Sequence, residues 1–79
     1  MLKEKKPYIV ITFPNTVAAL SMESACHAAG LPGRIIPVPS QISAGCGFSW
    51  RAEVQDQEKL KAFMTEQGIT YSEIHEIEL

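Results

Sequence analysis

The chain has 79 residues, 46% hydrophobic and 20% charged, with a net charge of −2. A chain of this size is one small domain that buries only about 60% of its unfolded surface, and its slight acidity argues against nucleic acid or an anionic membrane as partner. No apolar run reaches the ~18 residues of a membrane helix, no signal-peptide pattern opens the chain, and two cysteines do not make a disulfide scaffold. The expected setting is therefore a reducing cytoplasm with both thiols free.

Residues 1–6, with Lys3, Lys5 and Lys6 around Glu4, are expected to be a flexible, solvated tail on a single domain spanning 1–79. The segment YIVITF, Tyr8 to Phe13, is apolar and β-branched at nearly every position, which predicts a central strand covered on both sides. Pro14-Asn15 break it, and Asn15 is a candidate N-cap. A helix then runs to Ala29, with Gly30 at the C′ position and Pro32 just beyond. Ala18, Met22, Ala25 and Ala29 share its predicted inner face, with Cys26 on the flank and Leu20 unexplained on the polar side.

Arg34 to Pro39 reads as a second strand. Its two prolines cannot donate ladder hydrogen bonds, so it belongs at a sheet edge. After a loop from Ser40 to Gly47, FSWRAEV alternates strictly. Phe48, Trp50, Ala52 and Val54 face a covered side, while Ser49, Arg51 and Glu53 face a wetter one. Asp56 is a candidate cap for a second helix, whose inner face carries Leu60, Phe63, Met64 and Gln67 and which ends at Gly68. TYSEIHEIEL reads as a last strand with an apolar phase slip between Ile74 and Ile77, the mark of a bulge.

This order, βαββαβ, is the ferredoxin-like split βαβ motif. It predicts an α+β fold: a four-stranded antiparallel sheet, order 4-1-3-2, with two helices on one face. The other face is left open, available to a second copy of the chain.

In that arrangement the start of the third strand, next to Cys46, lies near the beginning of the first helix at Asn15 and Thr16. A helix N-terminus favours an anion, and a thiolate is one. Gly45 and Gly47 can take φ > 0 and shape a backbone nest, with hydroxyls from Ser40, Ser43, Thr12 or Thr16 nearby. The connection is also long for a hairpin, about eight residues where two to five are usual. Against this, a free cysteine between glycines can simply be a small filler in a turn, and both readings stand.

Cys26 lies about eleven residues into its helix, roughly 15 Å from the start, too far to bridge to Cys46 if that thiol sits at the helix start. It reads as a packed core thiol. His27 and His75 lack partners at metal-ligand spacing, so no metal is expected; Glu73 and His75 would merely share a strand face. Glu23 is expected to be solvated, Arg51 to pair locally or mark an interface, and Trp50 to fill the core. No P-loop, dinucleotide fingerprint, CxxC or catalytic triad order is present. A cofactor-free carrier or accessory protein fits better than a stand-alone enzyme. The alternative is a non-catalytic binding or regulatory module that docks a partner through its sheet face or edge strand.

Three stretches carry a family likeness. They are YIVITF, then ALSMESACHAAGLPGRIIPVP with Glu23 and its Gly-x-Pro turn, and above all PSQISAGCGFSWR. In the last, Pro39, Ser43, Cys46 and Gly47 fit a Pro-x-x-x-Ser-x-x-Cys-Gly pattern. On these grounds the chain resembles the DUF3343 family, short bacterial and archaeal proteins regarded as selenium- or sulfur-carrier-like, over nearly its whole length. Members often have a basic residue after the second proline, where Ser40 stands here. The resemblance implies a role in carrying activated sulfur or selenium on Cys46, alongside sulfurtransferases or selenium-metabolism proteins.

Overall fold

Backbone chemistry sets the limits of the elements. The computed structural model describes residues 5–42 and 47–79. In chain order these form β1 (Pro7–Thr12), α1 (Thr16–Ala29), β2 (Arg34–Pro37), β3 (Phe48–Glu53), a 3-10 turn (Val54–Asp56), α2 (Gln57–Gln67) and β4 (Ile74–Glu78). The strands make one antiparallel sheet ordered β2-β3-β1-β4, which is the expected order read from its other edge. β1 is central, and Ile9 through Phe13 are all buried. The proline-bearing β2 is an edge, where a missing N–H costs no ladder bond.

Ile9 pairs with Ala52 and Ile11 with Trp50, so these four point to one side. With Ala19, Met22 and Cys26 of α1 and Leu60 and Met64 of α2 they form a single buried core. Both helices therefore cover the same face. A fully buried Leu or Met contributes roughly 1.5–3 kcal/mol, so Met22, Leu60 and Met64 are the main helix anchors, Ala19 and Cys26 being small.

The helix ends follow their sequence signals. Asn15 has extended backbone, and its Oδ1 accepts the Ala18 N–H at 2.9 Å. Both helices end in the same left-handed glycine cap. Gly30 donates to the His27 carbonyl while Leu31 donates to that of Cys26, and Gly68 donates to Thr65 while Ile69 donates to Met64. Leu31 and Ile69 then pack against the core.

Several expectations are corrected. The inner face of α1 is centred on Ala19, Met22 and Cys26; of the expected stripe Met22 is buried and Ala18 packs against the core, whereas Ala25 is only half-buried and Ala29 is exposed. Alanines all round a helix cannot choose its face, and the large Met22 sets it. In α2, Leu60 and Met64 are fully buried and Phe63 is half-buried as expected, but Gln67 is exposed. Asp56 makes no side-chain cap, because the 3-10 turn leaves it at φ −92°, ψ 0° rather than in the extended conformation a cap needs.

β4 has no bulge. Its register with β1 runs unbroken from Pro7–Glu78 to Ile11–Ile74, so Ile74 faces the helices and Ile77, opposite Tyr8, faces away. The apolar slip is two-sidedness. Ser49, assigned to the wetter side, is fully buried and donates to the Ile36 carbonyl at 3.3 Å. β2 ends at Pro37, with one further ladder bond from Val38 N–H to Gly47, and β3 stops at Glu53 before Val54 turns. Lys6 and Leu79 exchange backbone hydrogen bonds at 3.1 and 3.0 Å, so the ladder reaches into the segment expected to be a tail.

Candidate functional site

The sequence assigns the chemistry to Cys46, Ser43, Gly45, Gly47, Asn15 and Thr16. Of these, Ser43, Gly45 and Cys46 lie outside the described residues. The other three lie at one end of the sheet. Thr12 pairs with Ser49, so the chain entering β3 through Gly47 and Phe48 does so at the end where β1 passes into Pro14, Asn15 and α1.

The polar side chains expected around this end are largely committed elsewhere. The Asn15 Oδ1 caps α1. Thr12 is buried, and its hydroxyl accepts the Glu73 N–H at 3.1 Å and donates to the Glu73 carbonyl at 3.4 Å. That pair locks the approach to β4 onto the end of β1. Ser40 donates to its neighbour Gln41 at 3.5 Å. Gly47 does not have a positive φ, so it contributes no left-handed turn, and a Cβ added there would meet nothing within 4 Å. The first part of the loop is a turn in which Ile42 N–H donates to the Pro39 carbonyl at 3.0 Å. Ile42 is buried, yet it stands outside the core under the helices.

An open cleft of about 350 Å³ flanks the start of α1, running from Asn15 and Val17 to Gly68 and Thr70 beyond α2. Among the described residues no titratable side chain lines it. Val17 is 74% exposed beside it and Leu20 is 50% exposed, so the outward Leu20 noted in the sequence is real.

Cys26 is the core thiol expected. It is fully buried, its Sγ lies 3.8 Å from Met22 Sδ, and burial pushes its pKa from 9.0 up to about 11. Such a group is neither accessible nor ionised near neutrality, so it cannot serve as a nucleophile. Trp50 fills the core, donating its indole N–H to the Pro32 carbonyl at 3.2 Å. His75 meets Glu73 at 3.0 Å on the exposed surface, and among the described residues no group of three or more His, Cys, Asp or Glu could hold a metal. No helix among them is long and apolar enough to cross a membrane.

A feature with no sequence signal lies on the open face. Arg51 stacks on the Tyr8 ring, 4.5 Å from its centroid, and sits directly opposite Arg34. Only the strand register brings those two arginines together.

The family model described as "Putative Se/S carrier protein-like" matches residues 8–76. The chain belongs to that family. No curated protein and no solved structure matches it significantly.

Proposed function

We propose that the protein is a small sulfur or selenium carrier in which Cys46 is the acceptor thiol. The observation that carries this reading is the fate of the other thiol. The chain has two cysteines, and Cys26 is sealed in the core with its pKa raised to about 11. Any thiol chemistry this family member performs then falls to Cys46. The register around Thr12 and Ser49 supports it, because β3 begins at the end of the sheet where α1 starts, and a helix N-terminus favours a thiolate.

In the reaction, the Cys46 thiolate attacks the outer sulfur of a donor persulfide, R–S–SH. A new S–S bond forms on Cys46, the donor's S–S bond breaks, and the donor leaves as a thiol. An acceptor thiolate repeats the exchange. With a donor R–S–SeH, the group carried is selenium. No oxidant is consumed, so no cofactor is needed. Partners are then sulfurtransferase-type donors or proteins of selenium metabolism. The βαββαβ order with both helices on one face supports reading the scaffold as ferredoxin-like.

The test is to incubate the full chain with a small persulfide donor, alkylate, and map adducts by mass spectrometry. The persulfide is expected on Cys46 and not on Cys26, with transfer lost in Cys46→Ser while the fold is kept. Equal labelling of both thiols, or none, overturns the reading. Retained partner docking in Cys46→Ser without any transfer in the wild type points instead to a binding module.

A further inference from the structure

Arg34 and Arg51 oppose each other directly across β2 and β3. Arg51 also opposes Val10, which places both on the face away from the helices. Like charges in this position destabilise a strand pair. Neither guanidinium has a carboxylate within ion-pair distance among the described residues; Glu53, two positions along β3, is instead 3.7 Å from Lys6 in an exposed pair. Lys6 and Glu53 cancel, and two positive charges remain uncompensated on a protein whose net charge is −2.

The surroundings hold these charges in place. Stacking on Tyr8 fixes the plane of the Arg51 guanidinium and leaves its N–H edge free for a ligand. Tyr8, Gly33, Arg34, Arg51 and Glu53 line a depression of about 210 Å³. One wall is rigid. Trp50 pins the Pro32 carbonyl, and Gly33 has φ +119° with Trp50 Nε1 only 2.2 Å from where a Cβ would stand.

We propose that this depression binds a dianionic oxyanion of the phosphate class, gripped by the N–H groups of Arg34 and Arg51. A carboxylate or a phosphodiester would neutralise only one of the two charges, whereas a dianion neutralises both. Its several oxygens also match two guanidinium forks. Neither cysteine takes part, so the site stands or falls independently of the carrier reading.

The experiment is an NMR titration of the ¹⁵N-labelled full chain at constant ionic strength and pH 7.5, following the arginine Nε–H and Tyr8 amide signals. Inorganic phosphate and methyl phosphate are compared with dimethyl phosphate and acetate. Saturable shifts at Arg34, Arg51 and Tyr8 are expected with the first two, at least tenfold weaker with the monoanions. Arg34→Gln and Arg51→Gln should each weaken phosphate binding at least tenfold. Arg34→Gln should leave Tm unchanged or raised, since it removes a like-charge contact, which separates lost binding from lost folding. Non-saturating shifts, an equal response to acetate, or undiminished binding in Arg34→Gln overturns the proposal.

Discussion

Gly33 shows how one residue's requirement can come from a neighbour far along the chain. Its φ of +119° is one that side-chain-bearing residues rarely adopt, and a Cβ would stand 2.2 Å from Trp50 Nε1 and 2.7 Å from the Arg51 carbonyl oxygen. Neither can give way easily, since one is a pinned indole and the other is strand backbone. Gly33→Ala should cost about 2–4 kcal/mol. Gly30→Ala, at φ +69° with nothing within 4 Å, should cost only about 1 kcal/mol. Urea denaturation of the two variants checks the contrast, and equal losses would refute the role given to Trp50. The sequence marks Gly30 through its place after a helix and before Pro32. Gly33 carries no such mark, because its constraint is a tertiary contact. Cys26 and the Arg34–Arg51 pair divide in the same way. Cys26 is legible as core from helix spacing, whereas the Arg34–Arg51 pair needs a register that no local pattern states.

Among the elements, the sheet was the most legible part. Near-continuous apolarity from Tyr8 to Phe13 marked a central strand, and Pro37 marked an edge. Helix phase was less so, because the alanines of α1 look alike on every side until Met22 is packed. β4 misled for a related reason. A strand at the sheet's edge with apolar residues on both faces mimics a phase slip. The helix starts allow a direct test. Asn15 caps α1 through a 2.9 Å bond, so Asn15→Ala should cost about 1 kcal/mol. Asp56 makes no such bond, so Asp56→Ala should stay within about 0.5 kcal/mol of wild type. Thermal melts of both variants decide it; comparable losses would show that Asp56 caps α2 in solution.

For the whole molecule, the buried thiol links stability to alkaline pH. The Cys26 thiol ionises near 9.0 when exposed and near 11 when folded, so the unfolded chain loses its proton first. The stability this group confers is complete below about pH 9 and falls as pH rises toward 11, by roughly 2–3 kcal/mol at 1.36 kcal/mol per pH unit. Denaturation curves at pH 8 and pH 11 should show a steeper loss in wild type than in Cys26→Ala, which lacks the thiol. Parallel losses would mean that the thiol is solvated in the folded state.

The reciprocal hydrogen bonds between Lys6 and Leu79 have a topological consequence. They hold two residues 73 positions apart in sequence side by side, at the end of the sheet opposite Gly47. Folding must close that long loop, and its closure entropy is charged to the last pairing made. A short linker from Leu79 back to Lys6 would place the same constraint on the unfolded chain in advance, as a crosslink across a long loop does. The fold is therefore suited to circular permutation that joins Leu79 to Lys6 and opens the backbone elsewhere, with the join at the sheet end opposite Gly47.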